Sequence, residues 1–374
     1  MRVLVRRGLT RGLILAAVLS LLFGVPWWTI VGEPAWPTAV TVIGTVVFAA
    51  ALLAFPVLMY QGHSKKARDW AARLGDSTLG AVWVLFVWSI IGQVASLVLP
   101  STVVAVSVLA ISAGLLVWGY TEAMRVPRIR RTEVEIPGLG PDLDGTRLVV
   151  ISDTHYGPIN RVRWSERLAA AVNALEPDIV AHAGDIADGT AERRKEQAAP
   201  LGTVHSGLAK VYVTGNHEYF SEAQGWVDHM ESLGWDALHN RHVVVRRGEA
   251  RLVLAGIDDY IAKGSGEEGH GADITRALAG ADPTLPVVLL AHQPKQVTIA
   301  ADAGVALQIS GHTHGGQIWP FHYLVRVDQP SVHGLTRHGP ATQLYTTRGS
   351  GFWGPPFRVF APSEISLLTL RVPR

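Results

Sequence analysis

Four apolar stretches, at 12–31, 38–60, 79–99 and 102–121, contain no Asp, Glu, Lys or Arg, and nothing else in this 374-residue chain restricts its fold so tightly. A helix of about 20 residues crosses the roughly 30 Å hydrocarbon core of a bilayer. Uncharged runs of that length are scarce in soluble helices, so the pattern predicts four membrane-spanning helices. The joints agree. Residues 32–37 and 99–102 read as short turns, and residues 61–78 as a longer loop. Trp27, Trp28, Trp36 and Trp118 fall near the expected span ends, where indoles favour the membrane interface.

Charge orients these spans. Arg2, Arg6, Arg7 and Arg11 precede the first. Lys65, Lys66, Arg68 and Arg73 lie between the second and third, and Arg125, Arg128, Arg130 and Arg131 follow the fourth. The two other joints carry no Lys or Arg. By the positive-inside rule, both termini and everything beyond residue 131 should face the cytoplasm. The overall charge of +2 conceals the asymmetry: residues 1–131 carry +8 and residues 132–374 carry −6. The basic character belongs to the N-terminal third, so no nucleic-acid partner is indicated for the rest. The absence of cysteine excludes disulfide frameworks, thiolate metal sites and thiol nucleophiles.

Past residue 131, apolar runs shorten to 4–8 residues and alternate with helical patterns, which argues an α/β domain. Candidate strands occupy 147–152, 178–183, 209–214, 251–257, 286–291 and 305–310, with a helix at 163–175. Five of these strands are followed at once by metal-ligating or acid–base residue types. Asp153 and His155 follow the first, Asp185 and Asp188 the second, and Asn216, His217 and Glu218 the third. His292 follows the fifth, and His312 and His314 the last. Ligands of α/β sheets gather beyond the carboxyl ends of strands. Carboxylate and amide oxygens with imidazole nitrogens suit Zn²⁺, Mn²⁺ or Fe²⁺. Asp153/His155 and His312/His314 are i,i+2 pairs, which point to one side if the backbone is extended. Seven candidate ligands exceed one tetrahedral site and fit two metals that share a bridge.

Asp-x-His, Gly-Asp-x-x-Asp, Gly-Asn-His-Glu, a lone His and Gly-His-Thr-His, in that order, resemble the calcineurin-like metallophosphoesterase superfamily across about 145–370. The runs at 152–157, 291–294, 311–318 and 347–370, with four spans ahead of them, are similar to its membrane-associated bacterial branch. The resemblance implies a four-layer α/β/β/α sandwich and two divalent metals, Mn, Zn or Fe. It implies that Asp153, His155, Asp185 and His314 bind one metal. Asp185 then bridges to the second, which Asn216, His292 and His312 complete. His217 is implied to be a proton donor beside the leaving group, oriented by Glu218, with Asp188 behind the ligands. Two such metals clamp the attacking and leaving oxygens of an in-line phosphoryl displacement and make a bridging hydroxide available. In that role His217 would protonate the departing oxygen.

Three further residues are candidates to support the ligands or contact substrate. Asp188 could instead cap a helix. Asp259, with Asp258, could instead form a turn. The Arg348 guanidinium suits a phosphate, and equally a surface ion pair. Trp319, Phe321, Phe352 and Trp353 flank the last motifs, as core or as a rim for an apolar substrate. The expected organisation is a four-span region at 1–124, a linker at 125–144 and a metallophosphoesterase domain at 145–374. Two functions of different class fit. One is a membrane-anchored phosphoesterase acting on a lipid-linked or membrane-proximal diester or pyrophosphate. The other is a membrane binding or signalling protein with a structural metal site. His217 beside a complete ligand set favours the hydrolase.

Overall fold

The computed structural model describes residues 2–64 and 67–373, with side chains from residue 12 onward. Lys65, Lys66 and the side chains of Arg2, Arg6, Arg7 and Arg11, half of the basic flank, lie outside the described residues. The chain divides into two compact units.

The first unit comprises residues up to Thr121 and the segment Gly354–Val359. Its helices are α1 (Arg2–Trp27), α2 (Thr38–His63), α3 (Asp69–Ala95) and α4 (Ser101–Met124), with a π-helical turn, Trp28–Gly32, extending α1. All four are long and apolar enough to cross a membrane. The loop expected at 61–78 is largely helix: α2 continues to His63 and α3 already begins at Asp69. A carboxylate in the first turn suits the positive end of the helix dipole. The unit's surface is largely apolar, and its interior joins small and polar residues to two apolar clusters, one around Ile30 and Val104 and one around Phe23 and Phe55. Leu53, Leu97 and Val98 are 73%, 81% and 84% exposed, while Ala71, Ala72, Gly75, Ser89 and Gly92 of α3 are buried. Small residues let helix backbones approach closely. A Cβ on Gly62 would lie 2.5 Å from the Cα of Ala72. Two interior polar pairs join the helices: Gln93 Nε2 donates to Glu33 Oε2 at 2.7 Å and to Thr29 Oγ1 at 3.0 Å. His63 Nε2 lies 2.9 Å from Asp76 Oδ1.

The second unit contains Glu122–Trp353 and the chain from Phe360 onward. Its strands are β1 (Arg128–Glu135), β2 (Arg147–Ile151), β3 (Ile179–His182), β4 (Ala209–Tyr212), β5 (Asp236–Ala237), β6 (Arg241–Arg247), β7 (Ala250–Gly256), β8 (Val287–Leu290), β9 (Leu307–Ser310), β10 (Gly334–His338), β11 (Thr342–Thr346) and β12 (Glu364–Arg371). They form two six-stranded sheets, ordered β1-β12-β2-β3-β4-β5 and β10-β11-β9-β8-β7-β6. Strands β2 to β5 run parallel, as do β7, β8, β9 and β11. β1 lies within the expected linker. It is an edge strand on which only Val134 is buried, so its charged residues mask the apolar alternation that marks a strand.

The alternating side chains of each sheet feed two apolar layers. Val150, Ala181 and Val211 of one sheet meet Leu254, Leu290 and Ile309 of the other in the central core. On the outer face of the first sheet, Val149, Ile151 and Val180 pack against Leu168 and Val172 of α5 (Val162–Asn173), Ala198 of α6 (Ala191–Ala198) and a buried Trp226. On the outer face of the second, Val253, Ala255 and Leu289 pack with Ala277 and Ala300 from short helices. The result is a helix, sheet, sheet, helix stack of four layers.

Candidate metal centre

Parallel strands deliver their C-terminal ends to one edge, so the loops after β2, β3, β4, β8 and β9 converge. The side chains there are almost fully withdrawn from water: Asp153, His155, Asp185 and His292 are each 0–2% exposed. Extended backbone does not aim them, contrary to the i,i+2 expectation. Asp153, His155, Asp185, His312 and His314 have φ of 53°, 42°, 55°, 70° and 52°. Five non-glycine residues in the left-handed region, within one site, are the kind of local strain that surrounding structure must hold in place. Glycine makes room for them. At Gly184, φ is 93°, and a Cβ would lie 2.7 Å from His292 Nδ1.

The donors form overlapping groups. Asp153, His155 and His314 make one; Asp185, His292 and His312 a second; His155, Asp185 and His217 a third. His155 Nε2 lies 3.1 Å from His314 Nε2, and His314 Nε2 lies 3.4 Å from Asp153 Oδ1. Asp185 Oδ2 lies 3.6 Å from His155 Nε2 and 3.2 Å from His292 Nε2, so this carboxylate links the groups. Asn216 Oδ1 joins through His312 Nδ1 at 2.8 Å. His292 shows how well the set fits a cation. Its Nδ1 is occupied by the Ala183 carbonyl at 2.7 Å, while its buried Nε2 faces Asp185 Oδ2 at 3.2 Å without a well-formed hydrogen bond. Buried polar atoms are rarely left so. An imidazole nitrogen facing a shared carboxylate, among oxygen and nitrogen donors only, suits Zn²⁺, Mn²⁺ or Fe²⁺. Burial alone would raise the Asp185 pKa, but His292, His217 and His155 hold it well below the usual carboxylate range. Burial pushes the Asp153 carboxyl up, with Asp185 nearby adding to the rise. Burial, then His292, lowers His312 to about 3, keeping its imidazole neutral.

Asp188, not Glu218, holds His217. Asp188 Oδ1 accepts from His217 Nδ1 at 2.8 Å and from His155 Nδ1 at 2.9 Å. Fixing Nδ1 turns each Nε2 toward the site as the free nitrogen. Glu218 sits on α7 (Asn216–Ser221), where its carboxylate accepts backbone N–H bonds from Asp185, Ile186 and Gly215 at 3.0, 2.8 and 2.6 Å. A buried carboxylate with three backbone donors clamps the β3 and β4 loops together rather than turning a ring. Burial opposes the charged form of His217, but Asp185 and Asp188 outweigh it and raise the imidazole to about 9.

Asp259 is buried; it accepts from Ile261 N at 3.0 Å and Gln293 Nε2 at 2.9 Å, and burial raises its pKa. Arg348 lies against the turn after His314, where a Cβ on Gly315 would be 3.0 Å from its Cγ, and its Nη2 is 3.3 Å from His333 Nε2. One residue escaped the sequence reading. Arg161 is 3% exposed and donates Nη2 to the carbonyls of Thr154 and, at 2.6 Å, His155. Its guanidinium lies over Trp164 and Phe352, 4.6 and 4.4 Å from the ring centroids. Nothing in the local sequence distinguishes it from a solvated arginine.

A family model for calcineurin-like phosphoesterase matches residues 146–316. A "Transmembrane protein with metallophosphoesterase domain" of Danio rerio is 38% identical over 269 residues, covering 70% of this chain and 62% of that protein. The protein of the same name from Bos taurus is 35% identical, covering 69% and 60%. An "Uncharacterized metallophosphoesterase" of Aquifex aeolicus (strain VF5) is 30% identical over 230 residues, which is 61% of this chain and 86% of that one. The chain thus spans about three fifths of the length of the two animal relatives.

Proposed function

We propose a function from one premise: the chain belongs to the calcineurin-like phosphoesterase family and is a metal-dependent phosphoesterase. The proposed reaction is hydrolysis of a phosphoester next to a bilayer, with a lipid-linked or membrane-proximal diester or pyrophosphate as substrate. The observation that carries it is the position of Asp185, shared between donor groups, with His217 held beside them by Asp188. Asp153, His155, Asp185 and His314 would hold one divalent ion; Asp185, Asn216, His292 and His312 a second. Such a pair supplies Lewis acidity and acidifies water toward a pKa of ~7.

The chain's own residues do the rest. Asp188 keeps the His217 proton donor oriented, its Nδ1 engaged and its Nε2 available to the departing oxygen. Glu218 locks the Asp185 loop through two backbone bonds and ties it to Gly215 of its own loop through a third. Arg161 holds the carbonyls of Thr154 and His155, fixing the strained turn from which His155 projects. The test is hydrolysis of a chromogenic phosphodiester by the purified chain. Activity should vanish on chelation and return with Mn²⁺, Zn²⁺ or Fe²⁺. A fully metal-loaded protein without turnover would instead support a membrane binding or signalling protein with a structural metal site.

The cytoplasmic face is part of this proposal. It rests on twelve Lys and Arg on one side of the spans and none on the other. A reporter fused after the last residue should read cytoplasmic, and one inserted at Ala35 external. An external signal from the first would reverse the orientation.

A further inference from the structure

Two aromatic side chains packed against the proposed proton donor are left open to solvent. Phe220, one turn after His217 on α7, places its ring 5.3 Å from the imidazole at 67° and is 68% exposed. Trp353 meets the same imidazole at 6.0 Å and 72° and is 47% exposed. Both are edge-on contacts within the usual range for paired rings. Trp353 is held firmly: the Gln317 amide donates Nε2 to its carbonyl at 2.7 Å and accepts its N–H at 2.9 Å. Gln317 follows the His314 turn and itself has φ of 52°. Two separate chain segments therefore bring apolar surface to one imidazole, and one is braced on the ligand loop.

A general acid lies within hydrogen-bond reach of the oxygen it protonates, so whatever flanks it touches the leaving group. The flank here is aromatic. We infer, building on the phosphoesterase reading above, that Phe220 and Trp353 select phosphoesters whose leaving group is an apolar alcohol.

The test uses the full chain in detergent, metal-loaded, with methyl alkyl phosphodiesters of ethanol, butanol and hexanol. Their leaving groups are nearly equal in acidity, so the contribution of His217 stays constant along the series. kcat/KM should rise about three- to fourfold for each methylene that becomes buried. Phe220→Ala and Trp353→Ala should flatten that rise, and Phe220→Tyr and Trp353→Phe should keep it. A wild-type series with no dependence on chain length, or an undiminished slope in both alanine variants, overturns the inference. If the wild type also fails on an activated nitrophenyl diester, the phosphoesterase reading itself falls, and this inference with it.

Discussion

Leu53 of α2 and Leu368 of β12 are the same residue with opposite fates: the first is 73% exposed and the second fully buried. The contrast extends across both regions. The helical unit turns many large aliphatic side chains outward and keeps alanine, glycine, serine and some paired polar groups inside, beside two small apolar clusters around Ile30 and Phe23. The sandwich hides its aliphatic residues in three layers and gathers its polar residues at one edge. The lesson concerns solvent. Hydrocarbon outside removes the reason to bury leucine, and packing then falls to small residues and hydrogen bonds. Water outside makes aliphatic burial the main stabilising term and leaves the strand ends free for chemistry.

The sharpest way to break this division is to attack the shared carboxylate. Asp185→Asn should lower kcat/KM by more than the roughly 100-fold typical of residues that act through a ligand. It should also reduce the metal content measured by elemental analysis. Full activity with two metals per chain would end the bridging role of Asp185. His217→Ala should keep both metals and lose ~10²–10⁴-fold in rate. The loss should shrink for a nitrophenolate leaving group, which needs little protonation. Equal losses for acidic and alkyl leaving groups, with metal retained, would remove the general-acid role.

Both units were legible in the sequence to the extent that information was local. Four uninterrupted apolar runs announce the helices, and ligand-type residues directly after short apolar runs announce the site edge. What escaped was non-local. β1 owes its strand state to pairing with β12, more than 200 residues away in the chain, so its own charges read as linker. Asp188 backs His155, as a residue behind the ligands would, and also makes the contact to His217 expected of Glu218, because loop geometry decides which carboxylate reaches the ring. The left-handed turns at Asp153, His155 and His312 are equally invisible, since those residue types adopt extended backbone more readily. Arg161 acquires its place from Trp164 and Phe352, the latter supplied from far along the chain.

The solvent contrast can be tested with one arginine in each region. Leu53→Arg, placed on an outward face near the middle of α2, should cost ~2.5–3.5 kcal/mol of membrane insertion. Val327→Arg in the second unit replaces a side chain that is 85% exposed and should change stability by no more than about 0.5 kcal/mol. A membrane-integration assay reads the first and a thermal unfolding midpoint the second. If Leu53→Arg integrates like the wild type, the outward leucines do not face hydrocarbon and the division between the units loses its basis.

The smallest expected effect comes from two His–Asp pairs of almost identical geometry, one in each region. His217 Nδ1 lies 2.8 Å from Asp188 Oδ1, and His63 Nε2 lies 2.9 Å from Asp76 Oδ1. Distance alone does not separate them, but their connections do. Asp188 also holds His155 at 2.9 Å, so it touches both the proposed acid and a proposed ligand. Asp188→Asn keeps an acceptor oxygen but loses the charge that fixes both rings. It should cost ~10–100-fold in metal affinity or rate. Part of that loss should be recovered at high metal concentration, through His155, and part should not, through His217. Asp76→Asn removes the charge from an interhelical pair, where polar contacts within membranes contribute about 0.6 kcal/mol on average. It should lower the unfolding midpoint slightly and leave kcat/KM unchanged. Measuring both variants against metal concentration gives a direct reading. If Asp76→Asn lost rate as Asp188→Asn does, the helical pair would belong to the chemistry, and the two regions could no longer be assigned separate tasks.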